Sequence, residues 1–488
     1  MNIKFFERPM LFLMLAVMLA TSAYAQTETP PAPQAPKSVN IPAVVEAKLP
    51  NGLTVASVER KTTPLVTVQL LVKAGASTED LAKAGLANLT ASLLTKGTKT
   101  RSATQIAEDI EFLGGSLNTG AGWNSSIVNV TVTPDKLEQA LAIMADVVLN
   151  PSFQKDELDL LRSQALDGLT FNLKQPGFLA TYVGSKYSFS EHPAGGTPSS
   201  LAAITRDDVV GFHTANYLPG QAVLIFAGDV SAAKAKELSE KFFGSWKGAA
   251  ENRKPAPGPE QALSGGKGTL NRILVVDLPN SGQASVNYLV RSNGVGRTST
   301  SYYPANVLNS VLGGGYSSRL NQEIRIKRGL SYGAGSNFGW RRELANFSTF
   351  TQTKNESAAE VAELVIGELK RLGESSVTEA ELVPRKSVLT GNFGRNLETT
   401  SGLAAAISDL YSFGVPTHEL NSYMKNVQSV SNTQIREFAA KNFVGGDLVI
   451  VGDSKIFIDD LKKRFPNVAV EVIKADELDL NKDALGKP

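Results

Sequence analysis

The strongest constraint in this sequence is that its second half repeats the landmarks of its first in the same order. Residues 66–72 (VTVQLLV) and 285–290 (SVNYLV) are apolar, β-branched runs followed by glycine-containing turns, the pattern of strands. Arg162 to Leu173 (RSQALDGLTFNL) matches Arg385 to Leu397 (RKSVLTGNFGRNL). Phe212-x-x-x-Asn216-Tyr217 is echoed by Phe438-x-x-x-Asn442-Phe443. Each is followed by an apolar strand ending in Gly-Asp, AVLIFAGD (222–229) and LVIVGD (448–453). Landmarks repeated in order mean one unit built twice. Between them, Leu137 to Leu149 and Ala358 to Leu372 space apolar residues as amphipathic helices do. Strands backed by such helices make two-layer sandwiches. The expected fold is therefore α+β: two homologous α/β-sandwich domains, each an antiparallel-rich sheet with helices packed on one face. A single doubly wound sheet is disfavoured, because no glycine-rich phosphate fingerprint follows the first strand.

The boundaries follow from composition. Lys4 and Arg8, the apolar run Leu11 to Ala20 and the small residues of Ala23-Tyr24-Ala25 have the order of a secretory signal over 1–25. The mature chain is then expected to begin near Gln26 and to work in a bacterial periplasm. A Pro-rich tether (26–41), a first domain (42–247), a Pro/Gly-rich linker (248–268), a second domain (269–472) and a tail (473–488) complete the division. Lys plus Arg number 49 against 47 Asp plus Glu, which leaves no basic excess to hold a nucleic-acid backbone. Cysteine is absent, which excludes disulfides and thiolate metal sites. No run in the mature chain reaches the length of a membrane-spanning helix.

Gly85 to Thr98 reads GLANLTASLLTKGT, after a strand and opening a helix. It resembles a segment of the pitrilysin/insulinase family of zinc metallopeptidases (inverzincins), whose active members carry His-x-x-Glu-His in its middle and Lys-Gly-Thr at its end. The likeness runs from about Pro42 to Phe465 and is to the bacterial two-domain subunit type, similar to mitochondrial processing peptidase subunits. Anchored on Gly85 and Lys96-Gly97-Thr98, it places Asn88, Ala91 and Ser92 where the two histidines and the glutamate belong. Histidines four apart share a helix face and can share a zinc ion, and the glutamate takes a proton from metal-bound water. Asn88 and Ser92 are poor ligands and Ala91 moves no proton, so the resemblance implies a non-zinc-binding member. The three histidines, His192, His213 and His418, have no ligand spacing. The helix near Glu157 to Asp167 matches the one bearing the family's acidic third ligand, and Glu157 or Asp167 without the histidines holds no zinc.

In the second half, Gly313-Gly314-Gly315-Tyr316-Ser317-Ser318-Arg319-Leu320 leads into NQEIRIKRGLSY (321–332). Taken alone, this is also what a turn and a solvated helix start would show. It resembles the family segment in which an arginine and a tyrosine, seven residues apart, face the zinc site of an opposing domain. Arg325 and Tyr332 have that spacing. The resemblance then implies the complementary subunit of a heterodimer: a partner with His-x-x-Glu-His holds zinc, and this chain supplies Arg325 and Tyr332 in trans to bind peptide and stabilise the oxyanion. No cofactor is expected in this chain. Gly114 to Asn118 and Ile127 to Val132 correspond to the family's peptide-pairing edge, with a structural role expected here. Two other readings remain open: a catalytically silent scaffold or peptide-binding protein of the same fold, and an active peptidase with unusual ligands.

Overall fold

A computed structural model describes residues 41–248, 269–482 and 485–486. The expected signal (1–25), the tether (26–41) except Ile41, and the linker (248–268) except Gly248 lie outside the described residues.

The first half runs β1 (Val45–Lys48), β2 (Thr54–Glu59), β3 (Val66–Val72), α1 (Leu86–Leu93), α2 (Ala103–Phe112), β4 (Ser116–Ala121) and β5 (Ser126–Val132). It continues through α3 (Leu137–Leu149), α4 (Lys155–Asn172), α5 (Pro176–Phe189), α6 (Pro198–Ala203), α7 (Arg206–Asn216), β6 (Ala222–Gly228) and α8 (Ala232–Phe243). The second half begins with β7 (Leu270–Asp277), β8 (Ala284–Asn293), α9 (Tyr302–Leu312), a π-helical turn (Asn321–Ile326), β9 (Ser331–Trp340) and β10 (Leu344–Thr353). It closes with α10 (Ala358–Glu374), α11 (Glu379–Asn396), α12 (Thr400–Phe413), α13 (Glu419–Ser429), α14 (Asn432–Asn442), β11 (Gly446–Gly452), α15 (Ser454–Arg464) and β12 (Val470–Lys474).

The repeat in the sequence is a repeat in topology. The two six-stranded sheets have the orders β1-β2-β6-β3-β5-β4 and β12-β7-β11-β8-β10-β9. In each, an equivalent parallel pair (β2 with β6, β7 with β11) joins an antiparallel run. Only the outermost strand differs: β1 pairs antiparallel to β2, and β12 parallel to β7. The equivalent helices α7 and α14 even start alike, with capping boxes at Thr205/Asp208 and Ser431/Gln434 that satisfy the first free N–H groups.

Each half keeps its own helices on one face of its sheet. The other face is covered by a helix from the opposite half. In β3, Val66, Val68, Leu70 and Val72 join the core of the first half's helices. Leu71 joins Val223 and Ile225 of β6 against Leu403, Ala404 and Ile407 of α12. The Thr67 and Thr400 hydroxyls hydrogen-bond at 2.9 Å across this layer. Reciprocally, Leu179 and Val183 of α5 lie in one core with Leu274, Val276, Leu289, Val449 and Val451 of the second sheet. Gly184 permits this approach, since a Cβ there would sit 2.8 Å from a Leu289 methyl. Strands covered on both faces must be apolar throughout, which is why β3, β6 and β11 are buried at every residue.

One expectation needs correction. The segment after 472, expected as a tail, begins inside β12 and then returns to the first half. Leu480 and Leu485 are buried in that half's core, and the Asn481 amide donates to Ser199 Oγ at 2.8 Å. Two leucines spaced among polar residues gave too little pattern to announce a packed segment. Among the described residues, no helix is long and apolar enough to cross a membrane.

Candidate functional site

The degenerate motif lies on α1. Its N-terminus is closed from within: Glu79, whose side chain is fully buried, accepts the Gly85 and Ala87 N–H groups at 2.8 and 2.7 Å. A carboxylate here also suits the positive end of the helix. Asn88 is exposed and Ser92 half-buried one turn later, while Ala91 is fully buried. An amide, a methyl and a hydroxyl thus stand where a zinc site needs two imidazoles and a carboxylate, and this donor set does not fit zinc. On α4, Asp167 is exposed and Glu157 half-buried. Among the described residues, no group of three or more His, Cys, Asp or Glu side chains is placed to share a metal ion.

The histidines are engaged individually. His192 Nε2 lies 3.1 Å from Glu79 Oε1, with its ring beside Trp123. His213 stacks on Tyr217, and its Nε2 lies 2.9 Å from the Val148 carbonyl. Burial pushes its pKa below the usual imidazole range, against the opposing effect of that hydrogen bond. His418 is exposed at the start of α13. The Lys-Gly-Thr end of the motif has a structural use instead. Thr98 Oγ1 donates to Asp146 of α3 at 2.8 Å, and Thr100 and Arg101 donate to the same oxygen at 3.1 and 2.6 Å.

The second motif is assembled differently. Arg325 sits in the π-helical turn, an element frequent at functional sites. Gly329, at φ +64°, takes the left-handed turn that L-residues avoid and sends the chain into β9. Tyr332 follows near the start of β9. The Arg325 guanidinium lies 4.6 Å from the Tyr332 ring centre and 5.0 Å from that of Tyr316. Neighbouring cations are neutralised, since Lys327 and Arg328 both pair with Glu323. Among the described residues, no carboxylate pairs with Arg325, so its charge stays available.

These groups line an open cavity of about 700 Å³ together with Phe350, Gln352 and Gly177, the last contributed by α5 of the first half. Tyr332 is 90% exposed. Both β9 and its counterpart β4 are outermost strands, so each offers backbone groups to an incoming chain. A cation and a phenol at such an edge can hold a peptide carbonyl and stabilise charge developing on its oxygen. The seven-residue spacing brought Arg325 and Tyr332 to notice, and the fold brings them together. Tyr316 and Phe350 were missed as site residues. Tyr316 stood in plain view after the glycine triplet, where it read as part of a turn, and nothing in the strand around Phe350 marks which face it takes.

Known proteins share this architecture. Residues 54–170 match the family model described as Insulinase (Peptidase family M16), and 203–389 match Peptidase M16 inactive domain. An uncharacterized zinc protease of Mycobacterium leprae is 29% identical over 75% of this chain and 81% of its own length. One from Rickettsia felis is 26% identical over 81% of this chain and 95% of its own. Among solved structures, a Peptidase M16 inactive domain from Pseudomonas fluorescens superposes with a TM-score of 0.74 at 25% identity, over 84% of this chain and 98% of that one. A protease from Helicobacter pylori gives 0.79 at 22% identity over 85% and 100%, a likeness of fold. The two family matches together span well over half of the sequence, in the order of the two duplicated halves, and the chain belongs to the pitrilysin/insulinase (M16) peptidase family as a member without the zinc-ligand side chains.

Proposed function

We propose that this chain is the non-zinc-binding subunit of a periplasmic M16-type peptidase heterodimer, presenting Arg325 and Tyr332 to peptide held at a homologous partner's active centre. The observation that carries the reading is the pair itself. A guanidinium without a carboxylate partner among the described residues rests against a tyrosine that is 90% exposed, on the rim of an open cavity. Such a group costs rotamer freedom to hold and neutralises no carboxylate among the described residues. The partner, a chain with His-x-x-Glu-His, supplies zinc and the activated water. This chain's contribution is to bind: Arg325 and Tyr332 donate to the scissile carbonyl oxygen, and the open edges of β9 and β4 are available to peptide backbone. The periplasmic assignment rests on the signal-like order of residues 1–25.

The test is reconstitution with the zinc-binding homologue and steady-state peptide hydrolysis. Arg325→Ala is expected to lower kcat about 100-fold, the usual cost of one oxyanion donor, with partner affinity unchanged. Tyr332→Phe is expected to lower it by a smaller factor. Full activity in both variants would leave the pair without a catalytic role and favour a scaffold.

A further inference from the structure

A second cavity, of about 380 Å³, shares no lining residue with the Arg325 cavity and is walled by α11, α12, α13 and the segment entering α9. Arg297 reaches into it with its side chain only 6% exposed and its guanidinium 3.8 Å over the Tyr302 ring. Its Nε is buried without a hydrogen-bond partner. The carboxylates beside it, Asp409 Oδ2 and Glu419 Oε1, each stand 3.9 Å away, beyond hydrogen-bond reach. Glu419 Oε1 is itself buried and unpartnered, although Oε2 accepts from Ser422 Oγ at 3.0 Å.

Buried polar groups in folded proteins are almost always satisfied by protein, ligand or ordered water, so an unpaired donor and an unpaired acceptor beside one cavity mark it as a place for a bound partner. The ligand must offer an acceptor to Arg297 and a donor to Glu419. A simple anion meets two carboxylates and is repelled. A simple cation leaves the guanidinium unsatisfied. A carboxylate and an ammonium carried on one carbon answer both, with charge-assisted hydrogen bonds at each end. Apart from the Asn392 and Asn396 amides on the exposed side of α11, the rest of the lining is apolar or aromatic, with Tyr302, Leu389 and the stacked pair Phe393 and Tyr423, whose ring centres are 4.2 Å apart. Asp409, with its side chain 56% exposed, marks the mouth. The volume is at the small end of ligand pockets, about 300–1,000 Å³, and suits one amino acid. We propose that this cavity binds a free zwitterionic α-amino acid with an apolar or aromatic side chain. The site stands independently of the Arg325–Tyr332 reading.

The test is calorimetric titration and thermal shift of the purified full chain with L-leucine and L-phenylalanine. L-leucinamide lacks the carboxylate and N-acetyl-L-leucine lacks the ammonium. At least one amino acid is expected to bind saturably at one site, with both analogues about tenfold weaker or worse. Glu419→Gln is expected to weaken binding about tenfold. Ala405 lines the cavity from the exposed side of α12, so Ala405→Trp fills it without disturbing a core and is expected to abolish binding. No saturable binding up to ~10 mM, binding that survives Ala405→Trp, or equal binding of the two analogues would each overturn the proposal.

Discussion

Replacing Glu191 by glutamine should loosen the junction between the two halves by a large fraction of the protein's stability. Glu191 follows α5, and its carboxylate accepts from three groups of the second half: Arg291 Nη2 at 2.9 Å, Arg341 Nη2 at 2.7 Å and Asn346 Nδ2 at 2.8 Å. The side chains of Glu191 and Arg291 are 8% and 6% exposed. Glutamine keeps one oxygen and turns an NH2 group towards a guanidinium. The main cost is the lost charge pairing, because Arg291 stays buried and no longer faces the Glu191 carboxylate. Breaking a buried pair from one side costs about 3–5 kcal/mol, against a total stability on the order of 10 kcal/mol. Urea denaturation followed by tryptophan fluorescence reads this directly, since Arg341 lies 4.6 Å from the Trp123 ring centre at the junction. The expected result is a transition midpoint displaced to clearly lower urea. The double variant with Arg341→Gln should be less destabilised than the sum of the single variants, as coupled groups are. A loss below about 1 kcal/mol would mean the network behaves like a solvated surface ion pair and does not join the halves.

Three further outcomes follow from the same geometry. Burial alone would raise the Asp146 pKa, but hydrogen bonds from Thr98, Asn150 and Arg101 outweigh it and hold the carboxyl below its usual range. Its contribution is therefore present above the unfolded value near ~3.9 and lost as pH falls through the lower folded value. Asp146→Asn should cost about 2–3 kcal/mol at neutral pH in a denaturation experiment, and much less in strong acid. His213 has the opposite bias: its folded pKa is depressed, so below about pH 6.5 the unfolded chain takes up a proton that the folded one resists. Melting temperature should fall from pH 7 towards about pH 5, and His213→Gln should flatten that slope; an unchanged slope would refute the assignment. Gly184→Val should crowd Leu289 where α5 crosses onto the second sheet and cost about 1–3 kcal/mol in the same assay.

Much of the fold was legible because duplication leaves its mark on strands. The Gly-Asp endings at 228–229 and 452–453 locate β6 and β11, the equivalent central strands of the two sheets. The run VTVQLLV also says that β3 is buried on both faces, since a half-exposed strand would alternate. It does not say what covers the second face. That cover is α12 from the opposite half, and periodicity in a helix shows that a face is buried without naming its neighbour. The Glu191 network was illegible for a related reason: Glu191 stands a hundred or more residues from each of its three partners, and each charged member alone reads as a surface charge. The candidate site divides in the same way. Asn88, Ala91 and Ser92 could be placed by position against a known segment, and Arg325 and Tyr332 by their spacing. The stacking on Tyr316 and the cavity shared with Gly177 depend on how α5 crosses over, which no local pattern contains.

The most direct test of the account is peptide hydrolysis, with bound zinc measured in parallel, for the purified chain alone and for its mixture with a His-x-x-Glu-His homologue from the same organism. The account predicts neither zinc nor cleavage for the chain alone. In the mixture it predicts cleavage that requires zinc and fails with Arg325→Ala in this chain. Zinc-dependent cleavage by the chain alone would contradict it and turn attention back to His192, His213 and His418.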